Sequence, residues 1–123
     1  GHIAPSTALQ RALCDIVATV LAREVAEISV ADDFFAIGGD SVLATTVVAR
    51  IREWLDAPQA GIADVFAART VADLAVRLDA ADARPGRLEQ VAAVYLEVAA
   101  LDDDELDEAA AHGAGIDSGV SAR

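Results

Sequence analysis

Apolar residues recur at helical intervals near the start of the chain and define its first predicted element. Thr7 and Gln10 have the spacing of a capping box, in which a threonine hydroxyl accepts a hydrogen bond from the third helical N–H. The apolar positions that follow share one face of a helix: Leu9, Leu13, Ile16, Val17, Val20 and Leu21. Cys14 lies beside this stripe, so we expect a buried and unreactive thiol.

A second amphipathic helix is predicted from about Ser41 to Leu55. Pro58 and Gly61 follow it and are typical of a helix end. Its expected buried stripe consists of Leu43, Val47, Ile51, Trp54 and Leu55.

The last part of the helical pattern predicts one short and one longer helix. Residues 62–67, IADVFA, indicate a short helical turn. Thr70 and Asp73 have capping spacing for a final helix that buries Val71, Leu74, Ala75 and Leu78. No segment alternates apolar and polar residues as a strand does. The sequence therefore predicts an all-α fold, a small four-helix bundle of three main helices and one short one with a helical C-terminal extension.

The segment between the first two helices, residues 25–40, is apolar but has no sustained period. Its large apolar side chains are expected to be shielded from water: Ile28, Val30, Phe34, Phe35 and Ile37. A long ordered loop in a small domain is unusual and tends to be functional. Adjacent residues in an extended loop point in different directions, so one of the two phenylalanines should lie inward and the other should be partly exposed.

Composition divides the chain into five parts: a leader that resembles a cloning remnant (1–6), a helical unit (7–80), a linker (81–87), an acidic helical tail (88–112) and a disordered end (113–123). Pro85-Gly86 breaks the helical pattern within the linker. Residues 81–123 hold ten acids and three arginines, a net charge of −7, whereas residues 7–80 hold 11 acids and six arginines, a net charge of −5. Because the tail carries more net charge on fewer residues, we expect it to be a different kind of segment from the helical unit.

Two helical pieces are predicted within the tail. Leu88, Val91, Tyr95 and Val98 form one apolar stripe. Asp102 and Glu105 then have the spacing of a capping box, with Leu101 and Leu106 placed for a hydrophobic staple. A separate short helix is therefore predicted to begin at Asp103 and to end at Gly113.

The charge narrows the possible partners. The chain has 21 acidic residues against nine basic ones, which gives a net charge of −12. It should repel nucleic acid and anionic membranes and favour basic partners. No apolar run is long enough to span a bilayer, and no signal peptide is recognised. The single Cys14 cannot form an internal disulfide, which fits the cytoplasm, and a monomer is expected.

The stretch DDFFAIGGDSVL, residues 32–43, places one serine directly after a glycine pair and an aspartate. Ser41 is not expected to be a catalytic nucleophile, because His2 and His112 lie in the leader and the tail and Asp40 alone is a poor base. A calcium loop is excluded, because its alternating carboxylates are absent. Helix capping by Ser41 or by Asp40 remains open.

A remaining hypothesis is that Ser41 is itself a substrate. A hydroxyl at a helix start stands clear of a bundle, and Gly38 and Gly39 would let the active site of another protein approach. An anionic group attached there would meet the positive end of the helix dipole.

These residues resemble the attachment motif of peptidyl carrier (thiolation) domains of non-ribosomal peptide synthetases. The matching positions are Asp33, Phe34, Phe35, Gly38, Gly39, Asp40, Ser41 and Val42. The later VFAARTVADLA resembles the closing segment of that family, with Val65-Phe66 and Thr70-Val71 in the expected places. A proline often precedes the threonine in the family, and here Arg69 does.

The resemblance implies a non-catalytic carrier. A phosphopantetheinyl transferase would attach 4'-phosphopantetheine from coenzyme A to Ser41, with Gly38, Gly39, Asp40 and Val42 around the attached group. The arm would hold aminoacyl or peptidyl thioesters and deliver them to adenylation, condensation, cyclisation or releasing domains. The implied partner-binding surface consists of Val42, Leu43, Thr46 and the 62–67 segment, in particular Ile62 and Val65, although Leu43 fits the core equally well. The alternative is an unmodified helical interaction module.

The tail also resembles a known element, the short acidic helix that docks onto a β-hairpin domain of the next synthetase protein. The matching residues are Leu101, Asp102, Asp103, Asp104, Glu105 and Leu106. Ala109 and Ala110 stand where that family often has leucines. Two alternatives remain open: residues 88–101 pack back onto the carrier as an added helix, or they form a linker into a further domain.

Overall fold

A computed structural model of the protein describes residues 2–111, and the side chains as far as residue 101. This part of the chain folds into five α-helices: α1 (Ala8–Leu21), α2 (Ser41–Trp54), α3 (Ile62–Ala68), α4 (Val71–Ala81) and α5 (Arg87–Ala111). It contains no strand, which confirms the predicted all-α class with four bundle helices and a helical C-terminal extension. None of these helices is long and apolar enough to cross a membrane.

The predicted helix starts at Thr7 and Thr70 are confirmed. The Thr7 hydroxyl accepts a hydrogen bond from the N–H of Gln10 at 3.1 Å, and the Thr70 hydroxyl accepts one from the N–H of Asp73 at 3.2 Å. The Gln10 carboxamide oxygen accepts from both the N–H and the hydroxyl of Ser6, one residue earlier than in a capping box. These local bonds satisfy free N–H groups at both helix starts.

The core lies among α1, α2, α4 and the long loop between α1 and α2. Its largest fully buried side chains include Leu13, Ile16, Ile28, Ile51, Leu55 and Leu78. The thiol of Cys14 is also fully buried, and burial raises its pKa to about 11, as expected for an unreactive cysteine.

Trp54 does not lie in the core, contrary to the sequence prediction. It is the last residue of α2, is 39% exposed, and stacks on Tyr95 with the ring centroids 5.9 Å apart. The Tyr95 hydroxyl donates to the carboxylate of Asp15, and burial together with this carboxylate raises its pKa. The buried stripe continues through Ile51 to Leu55, and the tryptophan between them instead covers the contact between α5 and the bundle.

Part of the expected leader belongs to the folded unit. The N–H of Ile3 donates to the hydroxyl of Ser29 at 2.9 Å, and the carbonyl of Ile3 accepts from the N–H of Val30 at 2.9 Å. The long loop thus gains backbone partners from residues that the sequence prediction set aside. Its Val25–Glu27 segment forms a single 3-10 turn.

The predicted break within the tail is wrong, because α5 runs without interruption from Arg87 to Ala111. A capping aspartate at Asp102 would need an extended backbone, whereas that residue lies within the helix. Residues 88–111 contain neither glycine nor proline, so nothing local forces the chain out of the helix. The expected disordered end, residues 113–123, lies outside the described residues.

The first half of α5 packs on the bundle, which favours the added-helix alternative over a free tail. Leu88 and Ala92 are fully buried. The carboxylate of Glu89 accepts hydrogen bonds from the N–H groups of Ala8 and Leu9, at 2.7 and 3.0 Å, and so caps the N-terminus of α1. The hypothesis that the whole of 88–112 lies outside the core is therefore wrong for these residues.

The connection between α4 and α5 is a tight turn over residues 82–86. Arg87 holds this turn with bonds of 3.1 and 2.9 Å from its Nε and Nη2 to the carboxylate of Asp82, and its Nη2 also donates to the carbonyl of Asp56 at 2.6 Å. The Pro85-Gly86 break is present, but it directs α5 back onto α1.

Two truncations separate the packed part of α5 from the rest. Ending the chain after Gly86 is expected to lower the free energy of unfolding by at least the roughly 2–5 kcal/mol typical of losing one buried leucine, here Leu88. Ending it after Leu101 keeps every described α5 contact and should leave the urea midpoint unchanged. Equal midpoints for the full chain and the chain ending at Gly86 would show that α5 is not part of the fold.

Candidate functional site

Ser41 is the first residue of α2, and its side chain is exposed. Asp40 caps the helix, because its carboxylate accepts a hydrogen bond from the N–H of Leu43 at 2.9 Å. This settles the capping choice that the sequence left open. Among the side chains described, none forms a hydrogen bond with the Ser41 hydroxyl. The site therefore presents an unengaged hydroxyl at the positive end of a helix.

The structure gives a separate reason for glycine at each of positions 38 and 39. Gly38 has a φ of +124°, a backbone conformation that side-chain-bearing residues rarely adopt. Gly39 packs against the ring of Phe34, and a Cβ at Gly39 would lie 2.2 Å from the Phe34 Cε2 atom. The N–H of Gly39 also donates to the carbonyl of Phe34 at 2.9 Å. Access for another active site is therefore not needed to explain either glycine.

Adding a methyl group at Gly39 should disturb the loop before Ser41. The Phe34 ring must move, and such overpacking typically costs about 1–3 kcal/mol. Gly61→Ala is the matched control, because the nearest atom to its Cβ lies 4.0 Å away and the loss at a helix cap is about 1 kcal/mol or less. Thermal unfolding of both variants measures the difference. A Gly39→Ala variant as stable as Gly61→Ala would contradict the close packing of Gly39 on Phe34.

Asp33 organises the loop that leads to Ser41. One carboxylate oxygen accepts from the N–H groups of Phe35 and Ala36, at 2.8 and 3.2 Å, and the other accepts from the Arg69 Nε at 2.7 Å. The hydrogen bond from Arg69 is the main reason that the pKa of the Asp33 carboxyl is held below its ordinary value. A single carboxylate thus joins the loop to the end of α3.

Aromatic rings also join the loop before Ser41 to α3. Phe34 is buried, whereas Phe35 is half-buried, as the sequence predicted for the pair. The two rings meet edge to face at 5.1 Å, and Phe35 stacks on Phe66 of α3 with the centroids 5.1 Å apart. The loop before Ser41 and α3 are therefore packed together through named side chains.

The implied partner-binding residues divide into exposed and buried ones. Val42 and Ile62 are exposed, at 73% and 39%, and Leu43 and Thr46 are half-buried. Val65 is only 4% exposed and lies in the core, so its expected place on the surface is wrong.

Phe66 belongs to the 62–67 segment of the implied surface and is 42% exposed, although the sequence did not single it out. Residues four apart share a helix face, so Phe66 lies on the same side of α3 as the exposed Ile62. In the tail, Leu101 is exposed, whereas the side chains of Asp103, Asp104, Glu105 and Leu106 lie outside the described part.

The acidic residues near Ser41 are occupied by the protein itself. The carboxylate of Asp32 accepts from the N–H of Ser29 at 2.9 Å, and Asp33 and Asp40 accept the bonds described above. Within the described residues, no group of three or more acidic, histidine or cysteine side chains could hold a metal ion. The carboxylates therefore act as local acceptors of backbone hydrogen bonds.

An internal cavity next to Phe34 has a volume of about 20 Å³. It is lined by apolar side chains such as Val47, Val65 and Leu74. A space of this size holds about one water molecule and has no room for an acyl or aminoacyl group.

Comparison with known proteins identifies the family. The family described as "Phosphopantetheine attachment site" matches residues 11–78, and the chain belongs to it. Phenyloxazoline synthase MbtB of Mycobacterium tuberculosis is 59% identical over 98 residues, which covers 80% of this chain and 7% of that protein. A dimodular nonribosomal peptide synthase of Bacillus subtilis is 45% identical over 78 residues, covering 63% of this chain and 3% of that protein.

A solved structure supports the fold. The crystal structure of holo T3CT is 37% identical with a TM-score of 0.51, and the match covers 99% of that chain and 58% of this one. The match to the mycobacterial synthase spans 80% of this chain and must therefore include the first half of α5.

The chain is a carrier domain of the nonribosomal peptide synthetase kind, and its cofactor is covalent 4'-phosphopantetheine. It is not an enzyme in its own right, since such domains tether intermediates on which other domains act. Carrier domains of this kind interact with the transferase that modifies them and with adenylation and condensation domains. The alternative of an unmodified interaction module is not supported.

Proposed function

We propose that the Ser41 hydroxyl oxygen is the attachment point of the phosphopantetheine. The observation that carries this is the exposed, unengaged hydroxyl at the first residue of α2, left free because Asp40 supplies the cap. The transferase joins this oxygen to the phosphorus of the phosphopantetheine part of coenzyme A, the serine proton leaves, and the adenosine bisphosphate part is released. The resulting phosphodiester is an anion, which the N-terminus of α2 favours.

The residues of this chain supply position, whereas the transferase supplies the chemistry. Among the described residues, no side chain forms a hydrogen bond with the Ser41 hydroxyl, so this chain presents no base poised to remove its proton. The attached arm ends in a thiol that carries an aminoacyl or peptidyl thioester. Tethering raises the local concentration of this group at each partner domain in turn.

The surface around Ser41 is proposed to bind the transferase and the adenylation, condensation, cyclisation or releasing domains. Val42, Ile62 and Phe66 expose apolar side chains there, and Leu43 and Thr46 flank them. Exposed aromatic and apolar side chains are frequent anchors of protein interfaces. Val65 supports this surface from below.

The chain spans only 7% of the length of the Mycobacterium tuberculosis phenyloxazoline synthase, so the activity of its parent protein is a separate proposal. An oxazoline ring contains the nitrogen and the side-chain oxygen that a β-hydroxy amino acid provides. We propose a parent synthetase that forms a related heterocycle, in which the arm holds a seryl or threonyl group or its acylated product. Coenzyme A and such synthetases act in the cytoplasm, and the reduced, buried Cys14 fits that location.

The solvent-facing side of α5, together with its C-terminal half, is proposed as a docking element for a β-hairpin domain of a downstream protein. Val94, Val98 and Leu101 are exposed on one side of the helix, beside a groove of about 500 Å³ that Trp54 and Tyr95 also line. The acids of the same helix, including Asp103, Asp104 and Glu105, and the apolar Leu106 favour a partner with apolar anchors and a basic rim. The carrier itself is proposed to be a monomer.

Incubation with coenzyme A, magnesium and a broad-specificity phosphopantetheinyl transferase tests the function. Intact-mass spectrometry should show one phosphopantetheinyl group on nearly every molecule, and fragmentation of the modified peptide should locate it at Ser41. A chain that stays unmodified while a known carrier in the same tube is fully converted would overturn the proposal.

A further inference from the structure

Arg69, at the end of α3, contacts three consecutive residues of the loop before Ser41. Its Nε donates to the Asp33 carboxylate at 2.7 Å, and its guanidinium carbon lies 4.8 Å from the centre of the Phe35 ring. Its carbonyl accepts from the N–H of Phe34 at 2.7 Å. It reaches this position with a φ of 65°, which is uncommon for a residue with a side chain. The helix end is therefore shaped so that one arginine meets three consecutive loop residues.

We propose that Arg69 is a positioning residue for the modification site and that it acts through Asp33 and Phe35. The guanidinium fixes Asp33, whose other oxygen orders the N–H groups of Phe35 and Ala36. The neighbouring Phe34 ring sets the place of Gly39, two residues before Ser41. This inference rests on the proposed attachment at Ser41 and adds a residue that the attachment motif does not contain.

Stability alone does not explain this arrangement. The side chains of Arg69 and Asp33 are 49% and 35% exposed, and an ion pair at such a surface contributes little to the free energy of folding. The bond from Phe34 to the Arg69 carbonyl and the burial of Phe34 do not depend on the guanidinium. Removing the guanidinium should therefore loosen the loop while leaving the bundle folded.

The same contact orders the aromatic surface that partners would meet. Phe35 contacts both the guanidinium and the exposed ring of Phe66. An ordered loop reduces the entropy lost when a partner binds, so the effect should fall on binding rather than on the chemical step. In kinetic terms the transferase should show a raised KM for the carrier and a nearly unchanged kcat.

Three variants and a matched control test the proposal. Arg69→Ala removes the guanidinium, and Arg69→Lys keeps a charge for Asp33 but not the planar group. Asp33→Asn keeps an oxygen for the loop N–H groups and removes the charge that holds Arg69. Arg77→Ala is the control, since Arg77 forms a comparably exposed ion pair with Asp64 at 3.1 Å.

The first measurement is the transferase reaction with coenzyme A at a temperature where all variants are folded. Arg69→Ala is expected to raise the KM about three- to tenfold with little change in kcat, and Arg69→Lys should recover part of this loss. Asp33→Asn should raise the KM about as much as Arg69→Ala does. The double variant Asp33→Asn/Arg69→Ala should have a KM no higher than either single variant, because both substitutions remove the same contact. Arg77→Ala should match the wild type.

The second measurement does not require phosphopantetheine to be attached to the protein. Backbone amide relaxation by NMR of the unmodified protein should show increased mobility of residues 35–41 in Arg69→Ala and not in Arg77→Ala. The positioning role would be overturned if Arg69→Ala showed the same transferase kinetics and the same loop mobility as the wild type. It would also be overturned if Arg77→Ala raised the KM as much as Arg69→Ala does. A wild-type protein that the transferase leaves unmodified would instead count against Ser41 attachment, and the NMR comparison would still decide the role of Arg69.

Discussion

Replacing Ser41 with alanine is expected to abolish incorporation of phosphopantetheine while leaving the fold intact. The hydroxyl oxygen is the atom that forms the new bond to phosphorus, and alanine has no substitute for it. The structural loss is small, because Asp40 and not Ser41 caps α2 and alanine is favourable within a helix. Intact-mass spectrometry after incubation with coenzyme A and the transferase measures the effect, and circular dichroism verifies the fold.

The control for this experiment is a second exposed serine. Ser6 lies before α1 and bonds to Gln10, far along the chain from the attachment motif. Ser6→Ala should therefore take up the phosphopantetheinyl group as completely as the wild type. Modification that persists in Ser41→Ala would mean that another hydroxyl is the acceptor.

Phe34→Ala should remove a large part of the stability of the domain. The ring is 5% exposed, lies edge-on to Phe35 and fills the space directly above Gly39. Truncation of a buried phenylalanine typically costs about 3–5 kcal/mol, a large part of the 5–15 kcal/mol that holds a small domain together. Urea denaturation at fixed temperature gives the loss directly.

Phe35→Ala is the natural comparison because it removes the same atoms from the adjacent residue. Its ring is partly in solvent and packs on Phe66 and Arg69 at the surface. Its cost should therefore be clearly smaller than that of Phe34→Ala. If the two variants lose equal stability, the inward role assigned to Phe34 is wrong.

Much of the bundle could be predicted because its determinants are local. The caps at Thr7 and Thr70 and the apolar spacing of α1 and α4 act within one or two turns, so short-range patterns describe them fully. Ser41 could be located for the same reason, since its motif occupies consecutive residues. In the seven-residue helix α3, one turn decides which side chain faces inward, and the pattern did not separate the buried Val65 from its exposed neighbours.

The remaining features depend on contacts between residues far apart in sequence. Glu89 caps α1 across 81 positions, and Arg69 meets Asp33 across 36. The local pattern at Asp102 suited a helix start as well as a helix interior, and packing of the preceding turns favours the interior. The two glycines were located correctly, but their causes became visible only with the loop geometry.

The continuity of α5 determines how a partner docked on this helix would be placed relative to the carrier bundle. A helix of 25 residues is about 37 Å long, and its first turns are fastened to α1 by Leu88, Glu89 and Ala92. A stiff rod cannot act as a slack tether, so a partner docked along α5 would be held at a fixed distance from the bundle. The distance that the arm on Ser41 must cover to reach a downstream catalytic centre would then be set by this spacer as well as by the arm itself.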